Sequence, residues 1–250
     1  YPLWEGAVSH LFYAQRLYQF PLGVFGAALA TAIFPVMSAD AARQDFPGLC
    51  ATVARGLRCT VFVALPATVG LLLVSRPVVA AILQRGEFTP ADTDQTAIVL
   101  SFYTVGLLGY FAQQVLARAF FSLQESRVPA RSAVLSMVLN LILNLALVWF
   151  LGAGGLALAT AVCSYVQVAI LAAALRRRLG WTILAGLGAA LRDTILATLA
   201  MVAAVVTVHH LLRGQSTALM LLTAVAAGAV VYVIAAKLLR VEMLSLLRDR

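Results

Sequence analysis

Few side chains in this sequence could do chemistry, and the most pointedly placed is Arg16. It opens the run RLYQFPLGVFGAALATAIFP, residues 16–35, which is otherwise apolar and about long enough to cross a hydrocarbon core. A guanidinium stays charged and offers a planar fork of donors that matches phosphate or carboxylate oxygens bidentately. Buried at the centre of a membrane span it costs roughly 2.5–3.5 kcal/mol, so it must find water, an anion or a partner. Near a helix end it could instead snorkel to the interface at little cost, and position alone leaves both readings open. Pro21 cannot donate a backbone N–H to the carbonyl of Leu17, so the helix should kink there and leave a carbonyl free. Gly23 and Gly26 add a small-residue face on which another helix can approach closely. We read the stretch as a functional helix with a hinge at Pro21, Gly23 and Gly26, and the rest of the chain as its housing.

Other polar groups read more simply. Asn140 and Asn144 lie four residues apart on one helix face, where they can bond each other or a neighbouring helix, at about 0.6 kcal/mol each. Gln113 and Gln114 divide between packing and cavity exposure. His209 and His210 have no third ligand nearby in sequence, so neither a metal site nor a cofactor is expected. Glu87, Asp92 and Asp94 could form an acid–base pair, but Thr89-Pro90-Ala91-Asp92 reads better as a helix start. Asp40, Asp45, Glu125 and Asp193 are too scattered to hold Mg²⁺ for lipid-phosphate chemistry. No Walker A run, GxSxG elbow or HExxH occurs, so a transporter is expected rather than an enzyme.

The elements that must position these residues are membrane helices. The 250 residues are 62% hydrophobic and 11% charged, with a mean hydropathy of +0.96, far from the balance of a soluble domain. Apolar runs near 20 residues place spans at about 5–37, 56–75, 97–122, 132–151, 156–175, 194–212 and 217–236. Pro66 should kink the second, and 38–55 reads as a polar loop leading into a short interfacial helix. With seven spans, one side collects Arg43, Arg55, Arg58, Arg118, Arg127, Arg131, Arg176, Arg177, Arg178, Arg192, Lys237, Arg240, Arg248 and Arg250. The other holds only Arg76, Arg85 and Arg213. By the positive-inside rule the rich side, and with it the C-terminus, is cytoplasmic. The net charge of +8 is thus a topology signal rather than a nucleic-acid footprint. Cys50, Cys59 and Cys163 read as buried free thiols. The opening YPLWEGAVSH has no initiator Met and no cleavable signal pattern, so the chain is expected to start inside a longer protein.

The runs FYAQRLYQFPLGVFGAALATAIFPVMS, GLRCTVFVALPATVGLLLVSRPVVAAILQRGEFTPADT and GGLALAT resemble the C-terminal half of the MurJ (MviN) family of lipid II flippases. The resemblance is densest over residues 8–160 and weakest in the last two spans. It implies an all-α, polytopic bundle corresponding to helices eight to fourteen of a fourteen-helix bacterial inner-membrane protein. Such proteins belong to the multidrug/oligosaccharidyl-lipid/polysaccharide exporter superfamily and flip lipid II by alternating access. A drug or ion antiporter, or a polysaccharide exporter of that superfamily, is the nearest rival. The resemblance implies that Arg16 lines the central cavity and binds the lipid-linked pyrophosphate, with Ser9 also lining it. Gln19 and Gln15 stand where some relatives carry glutamate and aspartate. It further implies a lobe of five spans over 1–180 and two additional spans with a cytoplasmic tail over 181–250, residues 184–236 forming a lipid-tail groove. The partners implied are lipid II, membrane lipids and an N-terminal lobe of the same protein, with no nucleic acid.

Overall fold

The computed structural model describes residue 3, residues 5–212 and residues 215–239, which are helices and turns with no strand among the described residues. The first span is interrupted, as Pro21 demands. Helix α1 (Ala7–Pro21) passes through a π-helical turn, Leu22–Gly26, into α2 (Ala27–Ala42), and Ala7–Gly26 and Thr31–Ala42 are bent by 46°. A proline removes one i to i−4 bond and crowds the preceding turn, and the chain takes up the mismatch as a wider turn.

Residues 38–55 differ from the expected polar loop and interfacial helix. They are the end of α2, a turn at 43–45 and the opening of α3 (Phe46–Leu83), a single 38-residue helix. Asp45 caps α3 by accepting the Gly48 N–H at 3.0 Å, and Pro47 suits the first turn. Buried Leu49, Cys50 and Val53 carry the apolar face right to this start, so nothing interrupts the helix. Thr52 donates to Asp40 at 3.0 Å across the turn. Helix α3 also runs on through Pro66 and Pro77. The carbonyl of Phe62, which Pro66 leaves without an N–H partner, accepts the hydroxyl of Tyr232 at 2.5 Å.

Thr89 and Asp92 form the expected reciprocal capping box at the start of α4 (Pro90–Val105). Gly106 separates α4 from α5 (Leu107–Ser122), where a side chain would lie 2.7 Å from Ala161 Cα. Neighbours bond the carbonyls at that break: Tyr165 donates to Val105 O at 2.6 Å, and Ser164 donates at 3.2 Å to Gly106 O, which also accepts the Tyr110 N–H at 3.0 Å.

Helix α6 (Arg127–Leu179) is 53 residues long but is not one rod. Gly152 sits at φ 54°, ψ −133°, a conformation open to glycine alone. Asn140 donates to Thr160 at 3.3 Å, Ser136 to the Cys163 carbonyl at 3.3 Å and Gln167 to Ser132 at 3.5 Å. In a straight helix residues 132 and 167 would stand roughly 50 Å apart. The two arms, 127–151 and 153–179, are therefore an antiparallel hairpin. A 3-10 turn, Trp181–Leu184, leads to α7 (Leu187–Leu211) and α8 (Thr217–Leu238). Among the described residues five helical stretches are long and apolar enough to cross a membrane, α4 and α5 counting as one, or six if the bent first pair is one span, and the chain reverses within α6 at Gly152.

Contacts between distant residues sort the ends as the charges do. Cys50 with Leu179, Arg58 with Ala185, and Arg178 with Glu125 meet at one end. His10 with Thr96, and Arg76 with Asp94, meet at the other. Arg213, Arg240, Arg248 and Arg250 lie outside the described residues. The interior forms three apolar clusters: one around Tyr18, Leu100 and Phe111, one around Leu49, Leu116 and Phe120, and one joining Met201, Val205 and Tyr232 to α3.

Candidate functional site

Helix α1 has two unlike faces. Ala7, His10, Ala14 and Tyr18 recur at helical spacing and are buried against α4 and α5. His10, 4% exposed, bonds Thr96 Oγ1 through Nδ1 at 2.8 Å and places Nε2 3.5 Å from Asp92. Tyr18 stacks on Tyr103 at 5.1 Å and on Tyr110 at 5.7 Å, and Tyr110 donates to the Thr160 carbonyl at 3.2 Å. These contacts fix the rotation of α1 about its axis, and so fix what its other face presents.

That other face carries Ser9, Phe12, Gln15, Arg16 and Phe20, all exposed. Arg16 lies about 14 Å past the start of α1 at 1.5 Å per residue, five residues before Pro21. Its guanidinium sits over the Phe12 ring at 5.1 Å. An exposed cation–π contact is worth about 0.5–1 kcal/mol, less than the roughly 2.5–3.5 kcal/mol that a charge costs at the centre of a membrane helix. Among the described residues no carboxylate pairs with it; Asp92, Asp94, Glu125 and Asp193 face His10, Arg76, Arg178 and Arg192 instead. Arg16 is thus an exposed cation without a carboxylate partner among the described residues. Ser9 lies two turns away on the same face, Gln15 is exposed at its edge, and Gln19 is half-buried beside it.

The hinge residues behave differently from one another. Gly26 is buried, and a Cβ there would meet the Gln114 amide at 3.3 Å, so α5 packs closely on the π turn. Gly23 has nothing within 4 Å, so the close helix approach expected at both glycines occurs only at Gly26.

Asn144 donates to Asn140 Oδ1 at 2.9 Å, and with the Asn140–Thr160 bond this ties the arms of α6 together. The rings of His209 and His210 are 6.4 Å apart at the end of α7, and among the described residues no three His, Cys, Asp or Glu side chains gather as metal ligands. The Thr89 hydroxyl, then its backbone N–H, hold the Asp92 carboxyl below its ordinary pKa, as a capping residue requires. Sequence reasoning missed His10 and Tyr18. The signal was present, since both fall on the Ala7–Ala14 stripe, but in a membrane helix an apolar stripe is not distinguished from its surroundings.

The family model described as lipid II flippase MurJ matches residues 2–238. A probable lipid II flippase MurJ of Vibrio cholerae is 37% identical over 169 residues, which cover 68% of this chain and 32% of that protein. Its counterpart in Rhizobium meliloti is 34% identical over 177 residues, covering 71% and 33%. A solved structure of lipid II flippase MurJ in an inward closed conformation superposes with a TM-score of 0.78 at 24% identity, over 96% of this chain and 48% of that one. The matched segments thus span about a third of these curated relatives and about half of the solved chain.

Proposed function

The chain belongs to the lipid II flippase MurJ family, and on that premise we propose that it forms the C-terminal half of a flippase carrying lipid II across the bacterial inner membrane. A second lobe of the same protein faces the open side of α1, and the cavity lies between the two. Rocking of one lobe against the other then alternates access, a common device in transporters with a central site. The protein moves its substrate without bond chemistry.

Arg16 carries this reading: a guanidinium on an open face of the first helix, without a carboxylate partner among the described residues. It grips the pyrophosphate of the substrate, while Ser9, Gln15 and Gln19 line the cavity with uncharged donors and acceptors. Pro21, Gly23 and the π turn between them let α1 swing on α2, with the Gly26–Gln114 contact as the fixed side of the hinge. The two additional spans, residues 184–236, form a groove that holds the lipid tail. In support, a largely apolar cavity of about 180 Å³ opens between α3, α7 and α8, lined by Leu73, Pro77, Val205 and Met220 among others.

The arginine-rich end faces the cytoplasm, and the C-terminus with it. In intact cells a membrane-impermeant thiol reagent should reach Arg85→Cys and miss Arg127→Cys and Arg177→Cys; the reverse pattern would overturn the orientation. Complementation of a flippase-depleted strain tests the site. Arg16→Ala in the full-length protein should reach the membrane at normal abundance yet fail to support growth, with Arg16→Lys impaired less. Normal growth with Arg16→Ala would refute the role.

A further inference from the structure

The linker between α6 and α7 is held from three sides. Ile183 is fully buried in a core cluster, Cys50 donates to Leu179 O at 3.6 Å, and Arg58 Nη1 donates to Ala185 O at 2.9 Å. With the linker so fixed, Trp181 points outward and is 68% exposed. The Arg176 guanidinium lies 3.9 Å from the centre of its ring. Arg178 is neutralised by Glu125, whereas Arg177 is exposed and has no partner among the described residues. The antiparallel register of the α6 hairpin brings Arg127 and Arg131, both exposed, to this same end. Below them the first arm presents Val134, Met137, Leu141 and Leu145, all exposed and spaced along one stripe.

A topology signal needs only the number of arginines on a side; it does not need one of them stacked on an exposed tryptophan. Indole at a membrane rim sits at the level of the headgroups, and stacking on its face leaves the guanidinium edges free to donate. Those edges match phosphate oxygens.

We propose that this end of the α6 hairpin is a binding site for an anionic diacyl phospholipid of the surrounding leaflet. Arg176 and Arg177 grip the phosphate, Trp181 lies against the glycerol region, and the acyl chains run along the exposed stripe of α6. The site is on the outer surface of the hairpin and is independent of what the first span carries.

The test uses the full-length protein in nanodiscs of phosphatidylcholine with a minor fraction of phosphatidylglycerol, and counts retained lipids by native mass spectrometry. The wild type should retain phosphatidylglycerol preferentially. Arg176→Gln with Arg177→Gln should weaken that retention about thirtyfold, at roughly fivefold per arginine near an anionic surface. The charge-matched pair Arg43→Gln with Arg55→Gln, exposed at the same end, should leave it unchanged. Should the double variant fail to insert, Arg177→Gln alone removes an exposed side chain with no hydrogen-bond or ion-pair partner among the described residues and should still cost about fivefold. Equal retention of the two phospholipids by the wild type, equal loss in the control pair, or no loss with Arg177→Gln would each overturn the proposal. So would preferential capture of a polyprenyl pyrophosphate, which would assign the site to the transported lipid.

Discussion

The first span and the last two helices are built from similar apolar residues and behave oppositely. Between Ala7 and Ala42 the helix is broken by Pro21 and a π turn, one face is open, and that face carries a charge. Helices α7 and α8 are unbroken and meet through small and apolar side chains, with Gly228 so close to Val205 that a Cβ would lie 2.9 Å from it. A hydroxyl on α8, that of Tyr232, reaches the α3 carbonyl that Pro66 set free. A proline thus stands in the first span, where the chain bends, and another in α3, on which α7 and α8 pack, where the helix runs on. At Pro66 a neighbour supplies the donor that the proline removed, and an unpaired carbonyl in a membrane must be satisfied within the protein or face water.

This contrast can be broken or sharpened by substitution. The largest effect belongs to Arg16→Ala. Hydrogen bonds to a charged group are worth about 1.5–3 kcal/mol, so flipping by the reconstituted full-length protein should fall about a hundredfold. The thermal midpoint in detergent should stay put, because among the described residues Arg16 makes only a cation–π contact with Phe12. A fall in both together would make it a structural residue.

Next comes Tyr232→Phe, expected to lower stability by about 1 kcal/mol with flipping little changed. In a Pro66→Ala background that cost should shrink, because an alanine N–H would bond the Phe62 carbonyl itself. A double-mutant cycle with no coupling would sever the link between the proline and the tyrosine. Gly23→Ala should act in the opposite sense. Its Cβ meets nothing, so the thermal midpoint should rise by the equivalent of about 0.5–1 kcal/mol while flipping slows. Unchanged flipping would remove Gly23 from the hinge.

The smallest effect is at the capping box that receives His10. The Asp92 carboxyl is held below its ordinary value of 3.8, so its contribution to stability is complete above that pH and is lost as the pH falls through the lowered value. The stability gap between wild type and Asp92→Asn should therefore close on acidification below about pH 4. A gap that persists into acid would show that the charge is not what the cap uses.

Short-range chemistry was legible in the sequence. Thr89 and Asp92 cap because their spacing matches the first turn of a helix. The chain reverses at Gly152 because glycine there stands between two apolar runs, each of membrane length. Charge partition set the alternation of the spans, and the contacts at the two ends agree with it. The reading of 38–55 as loop and interfacial helix failed, because local polarity said nothing of the buried side of Leu49 and Val53.

By itself the sequence determined that the chain is a bundle of long apolar helices, where several of them start and turn, which family it belongs to, and that an arginine opens a long apolar run. Only the tertiary structure decided that His10 and Tyr18 are turned inward while Arg16 is left open, that Gly26 is packed and Gly23 is not, and that Tyr232 answers Pro66. The reason is the solvent. In water an apolar stripe marks the buried face, but lipid is as apolar as the core, so hydrophobic pattern does not tell the two faces of a membrane helix apart, and neighbouring helices decide.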